Sequence, residues 1–349
     1  MNHFFSVNPT AHGGDIYSRR VEHDFSANIN PLGMPEGVKK AIVQNICSFE
    51  HYPDVNCTRL RETIAAHDGF DMEKIVCGNG AADLIYRAVQ VLSPKRALVA
   101  IPTFSEYERA LLSFGCEAVH YNTRKEDNFS LREDFIDSIE GCEMVFVCNP
   151  NNPVGNLVKP ELLRKIIEKC AMCGASLLID ECFMDFTGES PLSSNDLTGN
   201  VMLLRAFTKI YAMAGLRLGY MLCSRSETAE KIKSCGQCWS VSVPAQIAGA
   251  AALNERDYVN LTVKLIAEER SYLTQALKES GFEVFDSSVN FILFRCGMPL
   301  GELLMPEGFA IRDCRNYPGL SEGYYRIAVR GHSENQLLVE AIKRCVKNG

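Results

Sequence analysis

The sequence has few of the features that mark membrane, fibrous or nucleic-acid-binding proteins. Among its 349 residues, no apolar run approaches the roughly 18 residues needed to span a bilayer. No repeat or low-complexity tract stands out, and hydrophobic and charged residues make up ordinary shares of 46% and 23%. Composition therefore excludes a disordered, collagenous or repeat-biased chain. A formal net charge of −7 also makes nucleic acid and anionic membranes poor generic partners, although it allows a local basic pocket.

A secretory signal is not visible either, because the N-terminal segment lacks a basic region followed by an apolar core. We therefore expect a cytoplasmic protein with reduced thiols. The 15 cysteines are too sparse for a disulfide scaffold. Two Cys-x-x-Cys pairs, Cys170/Cys173 and Cys235/Cys238, lie far apart without a histidine at a ligand offset. No metal is expected, and a metal or redox role is the minor alternative.

Short apolar runs, each followed by a turn-rich cluster and then a helical pattern, recur through the first two thirds of the chain. The runs read as strands are 74–77, 97–101, 144–148, 176–179, 201–204 and 218–223. Such alternation indicates mostly parallel strands covered on both faces by helices, and hence an α/β domain over residues 45–245. Ligands bind at the carboxyl ends of strands in open sheets, where the polar clusters of this chain fall.

The pattern changes after about residue 246. A long helical stretch at 260–281 precedes antiparallel strand candidates and a final helix at 333–347. This predicts a smaller α+β domain over residues 246–349. Residues 1–44 are turn-rich and lack a core of their own, so we expect them to pack on the small domain and the active site.

The polar residues at the strand ends are unremarkable one by one. Gly80 opens a helix, Asn152 lies in a turn, Asp180 could cap the turn that follows it, and Lys209 and Arg217 could be solvated charges. In their order and spacing, however, NPNNPVG, LLIDE and FTKIYAMAGLRLGY resemble the pyridoxal-phosphate enzymes of the aspartate aminotransferase fold. The resemblance covers essentially the whole chain. It implies fold type I, with a mostly parallel seven-stranded sheet in the large domain.

The resemblance also implies how the cofactor, pyridoxal 5'-phosphate, would be held. Lys209 would bind it covalently and later carry a proton, and Asp180 would pair with the ring nitrogen. Asn152 would contact the phenolic oxygen, and Phe104 would stack on the ring. The residues implied for the cofactor phosphate are Gly80, Ala81, Ala82, Thr208, Arg217 and, from the neighbouring subunit, Tyr52. The last of these predicts a homodimer.

Two branches of these enzymes compete. The closing segment and the lysine loop resemble histidinol-phosphate aminotransferases. The HGGDIY, DFSANINPLG, CWSV and IRDCRNYPGL–YYRIAVR segments look more like the L-threonine-O-3-phosphate decarboxylases of cobalamin biosynthesis. The resemblance to the family implies that Arg326 clamps the α-carboxylate of the substrate and that Asn152 also contacts the substrate. It implies that the substrate phosphate meets His12, Gly13, Asn28 and Arg312.

We therefore expect decarboxylation of L-threonine O-3-phosphate to (R)-1-amino-2-propanol O-2-phosphate and carbon dioxide. The alternatives are histidinol-phosphate aminotransfer and a decarboxylase that prefers L-serine O-phosphate. Two residues depart from the family pattern. Phe183 stands where many aminotransferases carry a tyrosine, and Ala206 stands where a phosphate-binding serine is common.

Overall fold

The computed structural model describes residues 12–18, 20–189 and 192–348. The strands in this part of the chain are β1 (His23–Asp24), β2 (Ile75–Gly78), β3 (Arg96–Ile101), β4 (Glu117–Asn122), β5 (Met144–Cys148), β6 (Ser176–Asp180), β7 (Asn200–Ala206), β8 (Gly219–Cys223), β9 (Glu283–Val284), β10 (Phe291–Arg295), β11 (Phe309–Ala310), β12 (Arg312–Asp313) and β13 (Tyr324–Ala328). The helices are α1 (Glu36–Gln44), α2 (Thr58–Asp68), α3 (Ala81–Leu92), α4 (Glu106–Ser113), α5 (Pro160–Cys173), α6 (Phe207–Ile210), α7 (Ser226–Ser234), α8 (Val243–Ala252), α9 (Arg256–Glu279), α10 (Leu300–Leu304) and α11 (His332–Asn348).

A seven-stranded sheet forms the centre of the fold, in the order β2-β8-β7-β6-β5-β3-β4. Only β8 runs against its neighbours, so the prediction of a mostly parallel α/β sheet is confirmed. Strand β6 is buried at every position. Since successive side chains point to opposite faces, both faces of the sheet are covered there. The continuous apolar runs of the sequence follow from this burial.

The direction of each strand decides which loops meet. The carboxyl ends of β5, β6 and β7 lie side by side, because Cys148 pairs with Asp180 and Asp180 pairs with Leu204 in register. Strand β8 is antiparallel, so its amino end, and with it Arg217, lies at that same edge of the sheet. The edge thus collects the loops after these three strands and the loop before β8.

A second, four-stranded sheet has the order β12-β13-β10-β9 and is antiparallel throughout. Short strand β1 pairs in parallel with β11, and the backbone that follows continues this contact. The Phe25 N–H donates to the Ala310 carbonyl, and the Ala328 N–H donates to the Phe25 carbonyl. The N-terminal segment is therefore fastened to the small sheet. The domain boundaries at residues 45 and 245 stay a prediction.

None of the helices in the described ranges is long and apolar enough to cross a membrane.

Candidate active site

A cavity of about 410 Å³ lies where the polar edge of the large sheet meets the small sheet and the N-terminal segment. Most residues that the sequence predicted for cofactor and substrate line this one cavity. They are His12, Gly13, Asn28, Ala81, Ala82, Phe104, Asn152, Asp180, Thr208, Lys209, Arg217, Arg312 and Arg326. Two predicted residues do not line it: Gly80, which precedes Ala81 in the chain, and Tyr52, which is exposed. Residues from both ends of the chain are thus brought together.

Lys209 lies on the short helix α6, which begins at the end of β7. The N-terminal segment holds this helix in place: the Asn30 N–H donates to the Lys209 carbonyl at 3.2 Å, and the Asn30 side chain donates to the Ile210 carbonyl at 2.7 Å. Burial lowers the pKa of Lys209 to about 8, assisted by the charges of Arg326 and Arg217. Such an amine is partly neutral near physiological pH and can act as a nucleophile.

Asp180 ends the fully buried strand β6. Its carboxylate accepts hydrogen bonds from the Tyr107 hydroxyl at 2.6 Å and from the Cys182 N–H at 2.9 Å. Tyr107 is fully buried on helix α4 and stacks on Phe146, with ring centroids 5.1 Å apart. Burial raises the pKa of Asp180, although these two donors and Lys209 oppose the shift. A buried carboxylate is stabilised when a cationic group pairs with it.

The amino end of helix α3 forms a narrow cradle beside Lys209. Gly80 has φ +82°, and a Cβ there would lie 2.7 Å from Nη2 of Arg217. On the other side, a Cβ at Gly219 would lie 2.7 Å from the Ala81 nitrogen. No side chain from the described residues caps this helix at Gly80. Its first N–H groups, including that of Ala81, therefore face the cavity as donors for an anion, with Arg217 alongside.

Arg326 lies in the middle of β13 and is buried. Its Nη1 donates to the Asn152 side-chain oxygen, and its Nη2 donates to the Ser26 carbonyl at 3.0 Å. Nε has no hydrogen-bond partner among the described residues. The guanidinium lies 5.3 Å from the centroid of the Phe291 ring, which packs edge-on against Phe183. This arginine is therefore rigidly held, with donor capacity left for an anion.

Arg312 pairs with Arg326 in register across β12 and β13. Its Nη2 donates to the Asn316 side chain at 2.8 Å, and its guanidinium lies 5.4 Å from the centre of the Tyr317 ring. The two arginines give the small-sheet side of the cavity two cationic groups. Both line the cavity. This side of the cavity therefore suits a ligand with more than one anionic group, because a guanidinium can bind an anion with two hydrogen bonds.

The His12–Gly13 turn approaches the same side from the N-terminal segment. Gly13 packs so closely that a Cβ there would lie 2.1 Å from the Ser26 carbonyl oxygen. The Gly14 N–H donates to the Ser26 hydroxyl at 2.8 Å. Asn28 is buried, and its side-chain oxygen has no partner within the described ranges. The turn therefore needs glycine for its approach, and Asn28 keeps an acceptor for a ligand.

Sequence reasoning missed several residues of this site. Tyr107 does not line the cavity but donates a hydrogen bond to Asp180. The residues that line the cavity and were not predicted are Ser26, Ala27, Glu106, Arg109, Cys148, Cys182 and Tyr317. The two departures, Phe183 and Ala206, line the cavity as well. The sequence does place Tyr107 in the first turn of a helix that follows a strand end, where side chains often reach a site. A tyrosine on the apolar face of that helix, with no role in the site, would give the same pattern.

Pyridoxal phosphate fits these residues. The raised pKa of Asp180 calls for a cationic partner such as a protonated ring nitrogen. The uncapped end of α3 with Arg217 suits a phosphate. Lys209 supplies an amine of lowered pKa between them. The individual residue assignments stay predictions.

Comparison with known proteins agrees with this geometry. The model of the family "Aminotransferase class I and II" matches residues 22–343. A threonine-phosphate decarboxylase of Salmonella typhimurium is 34% identical, with 96% of each chain covered. Among solved structures, a histidinol-phosphate aminotransferase from Clostridium acetobutylicum has TM-score 0.88 and 30% identity, covering 94% of this chain and all of that one. An L-threonine-O-3-phosphate decarboxylase from Porphyromonas gingivalis has TM-score 0.84 and 25% identity, covering 93% of this chain and 99% of that one.

The predictions of fold type I and of pyridoxal phosphate as cofactor are confirmed at the level of the family. The chain belongs to the class I and II aminotransferase family.

Proposed function

We propose that this protein is a pyridoxal-phosphate-dependent carboxy-lyase that decarboxylates L-threonine O-3-phosphate. The observation that carries the proposal is the pair of arginines, Arg312 and Arg326, facing one cavity from neighbouring strands. Phosphothreonine carries a carboxylate and a phosphate, so each arginine has an anion to bind. The 34% identity to a threonine-phosphate decarboxylase over nearly the whole chain supports the same reaction.

The cofactor, when bound, withdraws electrons from the α carbon of an amino acid attached to it. Lys209 would hold it covalently, and Asp180 would keep its ring nitrogen protonated. Tyr107 donates a 2.6 Å hydrogen bond to the Asp180 carboxylate and so restricts the orientation of that carboxylate. The uncapped start of α3, Thr208 and Arg217 would hold its phosphate. Asn152 and Phe104 would contact the ring.

The two ends of the substrate would be fixed by different groups. Arg326 would grip the α-carboxylate, since its guanidinium is locked by Asn152 and Ser26. Arg312, the His12–Gly13 turn and the side-chain amide of Asn28, donating through its NH2 group, would bind the phosphate. Fixing both anions would set the torsion about the α carbon and so would select which of its bonds is aligned for cleavage. If that bond is the one to the carboxylate, carbon dioxide would leave and the electron pair of the broken bond would pass to the cofactor. Lys209 would move the proton that returns to the α carbon.

Histidinol-phosphate aminotransfer is the second candidate, favoured by the closer structural likeness to an enzyme of that name. Histidinol phosphate has no carboxylate and carries an imidazole between its amine and its phosphate. It would leave Arg326 without its anion, and it requires a longer cavity than phosphothreonine does.

We also propose that the protein is a homodimer in which Tyr52 reaches the cofactor phosphate of the neighbouring subunit. Tyr52 is 79% exposed, and its ring centroid lies 4.7 Å from that of Trp239, itself half exposed. Exposed apolar side chains of Val43, Ile46 and Val55 occur in the same stretch of chain. A surface of this kind is typical of a subunit interface. Sedimentation equilibrium tests the dimer, and a monomer at micromolar concentration contradicts it.

The reaction is tested by product analysis. The purified protein, reconstituted with pyridoxal phosphate, should convert phosphothreonine into equal amounts of carbon dioxide and phosphorylated 1-amino-2-propanol. Phosphoserine serves as the comparison substrate, because the missing methyl group should change specificity by about 1–3 kcal/mol at most. If phosphoserine is decarboxylated faster than phosphothreonine, the protein is still a decarboxylase, but its preferred substrate is phosphoserine. If neither substrate releases carbon dioxide, the proposed function is wrong.

A further inference from the structure

Glu106 is a buried carboxylate at the mouth of the cavity that neither the cofactor nor the proposed substrate contacts require. It lies in the first turn of α4 and is only 9% exposed. Its Oε1 atom faces the His12 Nε2 at 2.9 Å and accepts a hydrogen bond from Arg109 Nη1 at 2.8 Å. The Tyr86 hydroxyl lies 3.5 Å from the other oxygen. The pKa of Glu106 is lowered, because these hydrogen bonds and charges outweigh its burial.

The contact to His12 joins two distant parts of the chain. His12 belongs to the N-terminal segment, and its ring is nearly half exposed. The backbone of the turn is anchored by Gly14 on Ser26, but the side chain of His12 is held by the Glu106 carboxylate. An imidazole nitrogen that faces a carboxylate carries its proton toward it, which fixes the ring orientation. The other ring nitrogen, Nδ1, would be the one that meets a phosphate, to which it donates when the ring carries both protons.

The contacts around His12 explain why a carboxylate is needed there. Arg109 Nη1 lies 3.5 Å from the same His12 nitrogen, and both side chains meet at one Glu106 oxygen, which can accept a hydrogen bond from each. Both His12 and Arg109 line the cavity, as Glu106 does. The carboxylate therefore allows two donors to stand together where an anionic group of the substrate would arrive.

We propose that Glu106 is a positioning residue for the phosphate end of the substrate, acting by holding the His12 imidazole in place at the cavity mouth. This rests on the proposed function only in that the substrate carries a phosphate. The carboxylate would not touch the substrate. Its loss should weaken the binding of phosphate and leave the chemistry at the α carbon unchanged.

The test uses the holoenzyme and inorganic phosphate as the probe, with affinity measured by calorimetry. The variants are Glu106→Gln, His12→Ala and the double variant. We expect Glu106→Gln to weaken phosphate binding about tenfold, as is usual for directly coupled neighbours. Because Glu106 acts through His12, the double variant should bind phosphate no more weakly than His12→Ala alone. In turnover, Glu106→Gln should raise KM for phosphothreonine with kcat little changed.

Glu108→Gln is the matched control. Glu108 lies on the same helix and also pairs with a histidine, His120, at 3.1 Å, but it does not line the cavity. This variant should bind phosphate as the wild type does. If Glu106→Gln fails to fold, Glu106→Asp replaces it, since the shorter carboxylate keeps its charge but withdraws from His12. Weakened phosphate binding is expected there too.

Three results would overturn the inference: unchanged phosphate affinity in the Glu106 variant, no measurable phosphate binding by the wild type, or additive losses in the double variant. Additive losses would mean that Glu106 acts through Arg109 or through the fold. The proposed function fails separately. A wild type that binds phosphate through this coupled pair, but releases no carbon dioxide from phosphothreonine, keeps the inference and loses the decarboxylase assignment.

Discussion

The two sides of the cavity are built in different ways. The cofactor side consists of strand and helix ends on one sheet: Asp180 ends a buried strand, and Lys209 and Ala81 lie a short loop or turn beyond the ends of two others. The substrate side is assembled from remote segments, as shown by the hydrogen bond from Arg326 to Ser26, which are 300 positions apart. The cofactor side is held mostly by contacts within one sheet, to which Asn30 of the N-terminal segment adds hydrogen bonds at Lys209 and Ile210. The substrate side depends on the docking of the N-terminal segment and the small sheet.

This difference predicts that substitutions on the two sides fail in different ways. Those on the cofactor side should abolish attachment or turnover whatever the substrate. Those on the substrate side should leave the cofactor bound and change which ligand is accepted.

The largest effect is expected from Lys209→Ala. Removing the amine should eliminate covalent attachment of the cofactor and lower turnover by at least about 10³-fold, since both a nucleophile and a proton carrier are lost. Visible absorbance and borohydride reduction followed by mass spectrometry measure the attachment. Lys231→Ala, at an exposed position on α7, is the control and should behave as wild type. A borohydride-reducible adduct in the Lys209 variant would refute the assignment.

Asp180→Asn should come next, retaining cofactor but losing about 10²-fold or more in kcat, because a neutral amide cannot balance a protonated ring nitrogen.

Tyr107→Phe removes the donor to Asp180 without changing the shape of the core. The activation free energy of turnover should rise by about 1.5–3 kcal/mol, the usual contribution of a hydrogen bond to a charged group. Steady-state kinetics of both variants rank the two effects. Near-normal turnover in Asp180→Asn would exclude this residue from the mechanism.

On the substrate side, Arg312→Ala and Arg326→Ala should each raise KM for phosphothreonine by about 10-fold to 150-fold, again because a charged partner worth about 1.5–3 kcal/mol is lost. Unphosphorylated threonine separates them when it is used as a competitive inhibitor. Its inhibition constant should rise in the Arg326 variant and stay unchanged in the Arg312 variant. If both variants changed the inhibition constant of threonine equally, the two arginines would not bind separate ends of the substrate.

The smallest effect expected is that of pH on cofactor attachment. The pKa of Lys209 is lowered to about 8, and the neutral amine is the reactive form. Below pH 8 the neutral fraction, and with it the rate at which the protein freed of cofactor binds pyridoxal phosphate, should fall about tenfold per pH unit. Above pH 8 the rate should level off. Stopped-flow absorbance measures it, and a rate still rising steeply to pH 10 would show a lysine of ordinary pKa.

The same difference explains how much the sequence could predict. The residues of the cofactor side follow apolar runs, so their position at one sheet edge follows from the α/β pattern. Strand β4 was missed because it is a partly exposed edge strand without a continuous apolar run. The reversed direction of β8, which brings Arg217 to the cavity, cannot be read from an apolar run.

On the substrate side, Arg312, Arg326 and His12 were assigned by resemblance to a family, not by spacing. Their convergence depends on how two sheets and a terminal segment dock, which local patterns do not specify. Glu106 illustrates the limit. In sequence it is one acidic residue in the first turn of a helix, where such residues are common. Only the fold shows its contact with His12.

The central claim is that the substrate side selects a compact substrate with two anionic ends. It is tested most directly by giving the holoenzyme phosphothreonine, histidinol phosphate and 2-oxoglutarate in one mixture, and by following carbon dioxide and glutamate together. We predict carbon dioxide in proportion to the phosphothreonine consumed, with little glutamate. Rapid formation of glutamate from histidinol phosphate, without carbon dioxide, would contradict the account and assign the protein to aminotransfer.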